Sequence, residues 1–381
     1  MQMLSNIAIT KRMTERIAHS PEALKFYREQ VSLSKSLLAS KSQVKLEQIE
    51  AGEVDSHVFT FRQLQRIAKR LFIPEFLLLN DNLQPKDIPK LIDYRNNENE
   101  GSEEANYLLQ KAIHEVVNGR DNLLYTYEIL DIEPNRFELS LEGNNASSDA
   151  IKIRQFLGAD ESKIKQDNSD DYYRGWRTLL ERQDVLVFEV SGIKFGSEGM
   201  ALHYGILPII ALLSSGQSNS RKLFTMMHEL THLGLRQSAV DGGILQSSYD
   251  IERYCNLVAG HVLVPEPCIE KYYNPSVSLD ENVRFIRKKL KVSKEAIAIQ
   301  LRLTNRINRQ QLDDYLNQLN SKQGFGRTGK QYTAYNQFGK VYIQQVLSAV
   351  MSNDISASSA IKILKLNNVE QLNYLEQRVF V

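Results

Sequence analysis

Residues Arg221–Leu235 read R-K-L-F-T-M-M-H-E-L-T-H-L-G-L, and this stretch decides how the rest of the chain is read. At 3.6 residues per turn, His228 and His232 lie one turn apart on one helical face, where both imidazoles can reach a single divalent ion. Glu229 sits about 100° round from His228, too far to join them as a ligand but within reach of a metal-bound water. Leu223, Phe224, Met226, Met227, Leu230 and Leu233 make the helix apolar on most sides, so it is expected to run through a core. Ser220 is the expected N-cap, and Gly234 the expected end signal. The chain has 7 histidines in 381 residues, so a chance His-Glu-x-x-His arises about once in a hundred such chains. The competing reading is a pair of core histidines satisfied by backbone, and a third ligand separates the two.

That ligand is expected on a later helix. In D-I-E-R-Y-C-N-L-V-A-G-H-V-L, Asp250–Leu263, the residues Glu252, Asn256 and Ala259 share one face with Cys255 beside them, whereas His261 points about 180° away. A His₂Glu set leaves a fourth position open, which marks a catalytic rather than a structural zinc site. Glu252 is the expected ligand, with Asp250 as its competitor and Asn256 beneath the site. Cys255 and Cys268 are the only cysteines, and their spacing fits neither a zinc knuckle nor a redox pair. Both read as small buried residues.

Strand-like runs precede the metal helix: D-V-L-V-F-E-V at Asp184–Val190, then G-M-A-L-H-Y, then P-I-I-A-L-L-S-S at Pro208–Ser215. An edge strand beside such a helix can hold an extended peptide by backbone hydrogen bonds. Ile209, Ile210, Ala211 and Leu212 are the candidate edge. His203 reads as a hydrogen-bonded structural histidine, and Tyr249, His203 and Tyr204 are candidate oxyanion stabilisers.

Upstream, residues from Pro21 to about Leu79 form a run of short amphipathic helices, with Ser34 as an N-cap and Gly52 as a closing glycine. Leu83–Asn97 reads as a linker, followed by helical patterns over Glu103–Val117 and Arg120–Leu130. His114-Glu115-Val-Val-Asn118 imitates the metal motif, but asparagine replaces the second histidine, and a solvated helix face is expected there. Further helices are expected at Ala150–Leu157 and Tyr173–Arg182. Gly324–Lys330 imitates a phosphate loop, yet it follows a helix rather than a strand, and Gln331 stands where Ser or Thr is needed for magnesium. It reads as a linker. Phe338–Val350 and Ser356–Leu366 read as two amphipathic helices.

Composition bounds rather than names a function. Hydrophobic residues at 42% and charged residues at 24% are ordinary for a globular chain, and the length suggests two or three domains. A formal net charge of +1 gives no general case for a nucleic-acid or membrane partner. The N-terminus has charges where a signal peptide needs an apolar core, and no apolar run is long enough to cross a bilayer, so a cytoplasmic location is expected.

Two resemblances follow from these residues. F-T-M-M-H-E-L-T-H-L followed by E-R-Y-C-N-L-V-A-G-H-V-L-V-P resembles the ImmA/IrrE family of metallo-endopeptidases, whose second helix carries Glu-x-x-(Ala or Cys)-Asn, a small residue and Leu-x-Pro. Glu252, Cys255, Asn256, Ala259, Leu263 and Pro265 match that pattern. Leu290–Leu303 and the C-terminal F-G-K-V-Y-I-Q-Q-V-L-S-A-V are similar to elements after the peptidase core. At the N-terminus, the helix order with I-E-A-G-E, T-F-R-Q-L-Q-R-I-A-K-R-L and F-I-P-E-F-L-L-L resembles an XRE-type helix-turn-helix domain. It departs from that pattern where the turn A-S-K-S-Q lacks the usual glycine, and the third helix offers Lys45 but also Glu47 and Glu50, which suit phosphate and base readout poorly.

The resemblances imply an α+β fold: a mostly helical zincin-like peptidase core with a small β-sheet over 91–305, an XRE-like helix-turn-helix domain over 1–90, and a linker with a helical region over 306–381. They imply one Zn²⁺ per chain, with Mn²⁺ as an alternative, and Glu229 as catalytic base. The implied activity is limited proteolysis of a regulatory protein, typically a helix-turn-helix repressor, in a stress or mobile-element response. The alternative is a DNA-binding regulator or antitoxin-like protein with a non-catalytic metal site. A third possibility is a peptidase restrained by its flanks, in which case a fragment near residues 100–305 would be the more active form. The oligomeric state is open.

Overall fold

The computed structural model describes residues 15–83, 103–159, 169–191, 198–213, 217–240, 248–320 and 334–380. It divides into two compact units, residues 1–88 with 97–115 and residues 89–96 with 116–381. No helix among the described residues is long and apolar enough to cross a membrane.

The first unit contains α1 (Pro21–Gln30), α2 (Lys35–Ser42), α3 (Leu46–Gly52), α4 (Phe61–Arg70) and a 3-10 turn (Glu75–Leu78). Ser20 and Ser34 cap α1 and α2 through their hydroxyls, and Thr60 with Gln63 forms a capping box on α4. The apolar faces close over Leu24, Tyr27, Leu38, Ile49, Phe59, Leu64 and Ile67. Between α2 and α3, Gln43 adopts the left-handed conformation at φ 55° in place of a glycine. Lys45, Glu47 and Glu50 are exposed beside that turn. Arg28 is held by Glu53, which also pairs with Lys35 at 3.0 Å.

The expected break at residues 118–119 does not occur, because α5 runs unbroken from Glu103 to Ile129. Gly119 is there for packing: a Cβ would lie 2.8 Å from the Phe188 ring. His114 on this helix is buried and stacks on Phe72 with ring centroids 4.8 Å apart, so the expected solvated face is corrected.

The second unit continues with α6 (Ala146–Phe156), α7 (Ser169–Glu181), β1 (Leu186–Val190), β2 (Gly199–Leu202), β3 (Ile209–Leu213), α8 (Asn219–Val240) and α9 (Ser248–Leu263). It then runs through α10 (Glu266–Tyr272), α11 (Leu279–Leu290), α12 (Lys294–Leu303), α13 (Arg309–Asn320), α14 (Ala334–Phe338), α15 (Lys340–Met351), α16 (Ala357–Ile363) and α17 (Val369–Phe380). The last helix was not anticipated. Gly324–Lys330 lies outside the described residues.

The sheet has the order β1-β3-β2. β1 runs parallel to β3 with Leu186 opposite Ile209, and β2 runs antiparallel to β3 with Gly199 opposite Leu212. The candidate edge Ile209–Leu212 is therefore the central strand, and this overturns its reading as a substrate edge. Both of its hydrogen-bonding sides are occupied, and all its side chains are buried.

Buried charges tie the sheet, α7, α8 and the C-terminal region together. Arg177 donates to the Glu181 carboxylate at 2.7 Å and to the Asn336 carbonyl at 2.7 Å, while Glu181 accepts from the Val341 amide at 3.1 Å. Gly339, at φ 84° and ψ 174°, fits between them, since a Cβ there would lie 1.8 Å from the Glu181 carboxylate. On the sheet side, Glu189 accepts from Tyr173 and pairs with Lys222 at the start of α8.

Candidate metal centre

α8 starts earlier and ends later than expected. The Ser218 hydroxyl, not Ser220, accepts from the Arg221 amide near its start. Gly234 does not end it, and the helix continues to Val240. At Gly234 a Cβ would lie 2.7 Å from Leu141, so that glycine serves close packing. Met226, Met227 and Leu230 are fully buried, which fixes the rotation of the helix and sends His228 and His232 towards α9.

α9 is fixed independently. The Tyr254 hydroxyl donates to the Asp149 carboxylate at 2.7 Å, and Arg154 donates to the Val262 carbonyl at 2.8 Å. Asp149 is itself buried and accepts the Gly143 amide at 2.9 Å. These contacts lock α9 against α6 and hold Glu252 opposite the two histidines.

The three side chains converge as expected from the sequence. The Nε2 atoms of His228 and His232 are 3.0 Å apart, and Glu252 oxygens lie 3.4 Å from His228 Nε2 and 3.2 Å from His232 Nε2. Asp250 does not join them; His228, His232 and Glu252 form the metal-capable cluster. Ligand atoms at about 2.0–2.1 Å from a tetrahedral ion are about 3.3 Å from one another, which is the spacing found here. His228 Nδ1 lies 3.0 Å from the Asn256 carbonyl oxygen, which can only accept, so Nδ1 carries the proton and Nε2 presents a lone pair. Two imidazole nitrogens and a carboxylate converging at these distances are a donor set that a cation satisfies. The donors fit a divalent metal ion.

Burial works to raise the Glu252 carboxyl, but His228 and His232, when a proton on Nε2 takes the place of a cation, outweigh it and hold the group below the usual carboxylate range. Cys255 Sγ lies 3.6 Å from His232 Nδ1, behind the ligand face. Burial, with the Glu252 and Glu229 charges, pushes this thiol well above its ordinary value, so it stays neutral. Cys255 and Cys268 are both buried and free, as expected.

Glu229 is buried and turns towards β2, where its carboxylate reaches the backbone of Gly199. Sequence reasoning missed Gly199, because a glycine at the start of a strand carries no chemical signature. Among the oxyanion candidates, His203 packs edge-on against Phe137 at 6.0 Å, and Tyr204 lies beneath the Arg120 guanidinium at 3.8 Å. The side chain of Tyr249 lies outside the described residues.

Residues 180–302 match the family Peptidase_M78, the IrrE N-terminal-like domain. No curated protein and no solved structure matches the chain. The matched segment runs from the end of α7 to the end of α12 and contains His228, Glu229, His232 and Glu252. The match supports a metallopeptidase-type function for this part of the chain; that family implies a metal, and the His228, His232 and Glu252 cluster is capable of holding one.

Proposed function

We propose that the chain is a zinc-dependent endopeptidase that carries out limited proteolysis of a regulatory protein. The observation carrying this reading is the convergence of His228, His232 and Glu252 with a buried carboxylate, Glu229, one residue along the same helix. Zinc held by the three donors would supply a Lewis acid that polarises a peptide carbonyl and makes water acidic near neutral pH. Glu229 takes a proton from the attacking water on a carboxylate oxygen and returns it to the nitrogen of the leaving amine. Asn256 holds the His228 proton on Nδ1, and the Tyr254–Asp149 contact keeps α9 in place behind Glu252.

The extended substrate belongs on β2 rather than β3. β2 is an outer strand, paired only with β3 among the described residues, and it packs against α8 beside Glu229. The sequence resemblance points to a helix-turn-helix repressor as substrate. In the first unit, exposed Glu47 and Glu50 beside the Gln43 turn favour a protein contact over phosphate readout. Co-expression with candidate repressors, comparing the parent with Glu229→Gln by mass spectrometry of the products, tests the reading.

A further inference from the structure

Gly199 opens β2 and faces the start of the metal helix. A Cβ at this position would lie 2.5 Å from Thr225 Cγ2, 2.7 Å from Glu229 Oε1 and 3.0 Å from Glu229 Cγ. The backbone does not demand glycine here, since Gly199 is not among the glycines with positive φ. What the position requires is the absence of a side chain. Contacts involving carbon are comfortable at about 3.5 Å, so any Cβ would force the Glu229 carboxylate to move by roughly half an ångström or more.

The two elements have little room to separate. Gly199 is paired with Leu212 on the central strand, and the preceding Glu198 carbonyl accepts from the Leu213 amide at 3.0 Å and from Gln217 Nε2 at 3.2 Å. The Glu198 carboxylate also pairs with Arg221 on the first turn of α8. Behind Glu229, the fully buried Met226 and Leu230 hold α8 in the core.

We infer that the bare backbone of Gly199 is the wall that sets the position of Glu229, making Gly199 a positioning residue for the general base. The inference rests on the peptidase reading and adds to it a residue that acts through Glu229. It also explains how the substrate-binding strand and the base keep a fixed spacing, since one residue of β2 touches both elements.

The test uses the full-length chain in a Thr225→Ser background, which removes the Cγ2 methyl and leaves Glu229 as the principal close contact. Gly199→Ala is introduced there with and without Glu229→Ala. Zinc content, kcat and KM on a cleaved protein, and melting temperature are measured for each. The expected result is about one zinc per chain, kcat lowered about 10- to 100-fold and KM within about twofold, because small misplacements of a reacting group carry costs of this size. The melting penalty of Gly199→Ala should largely vanish once Glu229 is truncated. An unchanged kcat, or the same melting penalty whether or not Glu229 is present, overturns the inference while leaving an active parent intact. If melting is coupled but the parent cleaves no candidate substrate at full zinc occupancy, the peptidase reading fails and takes the catalytic role of the contact with it.

Discussion

Replacing Asn256 by alanine removes the acceptor that fixes the His228 proton on Nδ1. His228 is only 4% exposed, so bulk water is poorly placed to take over that hydrogen bond. Leaving a buried donor unmet costs about 1–3 kcal/mol. Loss of an outer partner of a metal-bound histidine lowers affinity about 10- to 100-fold, or about 1.4–2.7 kcal/mol, which is the same range. Glu252 and His232 remain, so the site should persist in weakened form. Competition against a chromophoric chelator at neutral pH measures the change directly. Asn256→Asp offers a stronger acceptor at the same position and should bind zinc at least as tightly as the parent. Affinity within twofold of the parent for Asn256→Ala, or weaker binding by Asn256→Asp than by Asn256→Ala, would refute the assigned role of the His228–Asn256 contact.

Other consequences concern the frame around the site. Gly339→Ala places a methyl into the Arg177–Glu181 pair and into a backbone region open to glycine, and should cost at least about 3 kcal/mol in urea unfolding, since breaking a buried ion pair alone costs about 3–5 kcal/mol; a loss below about 1 kcal/mol would contradict the packing. A fragment ending at residue 320 should unfold at lower temperature than the whole chain rather than gain activity, because it leaves Arg177 and Glu181 without the Asn336 carbonyl and Val341 amide. In the first unit, Arg28 and Lys35 overcome the burial that would raise the Glu53 carboxyl and hold it below its ordinary value. Its contribution is thus present above the ordinary carboxylate pKa and lost as pH falls through the depressed value. Glu53→Gln should flatten that acid limb in a pH series of melting curves, and an unchanged limb would assign the acid sensitivity elsewhere.

Much of the metal centre was legible because helix periodicity is a strong local signal. The i, i+4 spacing of His228 and His232 and the shared face of Glu252 and Asn256 fix directions that survive into the fold. Strand neighbours are set by distant pairings, so an apolar run does not announce its position in a sheet. In I-I-A-L-L the unbroken apolar character did carry a clue, because a strand covered on both faces reads that way and a half-exposed edge strand alternates. Glycines misled in the opposite sense. Gly119 and Gly234 read as breaks, yet each lies inside a helix where Phe188 or Leu141 comes too close for a side chain. Gly199 drew no attention for the same reason. A glycine chosen for another element's approach looks, in sequence, like one chosen for a turn.

The most direct test compares the parent and Glu229→Gln at equal zinc content, each incubated with a candidate repressor, with products read by intact-mass spectrometry. The expected result is about one zinc per chain in both proteins, defined cleavage products from the parent, and a rate for Glu229→Gln lower by about 10²- to 10⁴-fold, the usual contribution of a positioned general base. Equal cleavage by the two proteins would contradict the account.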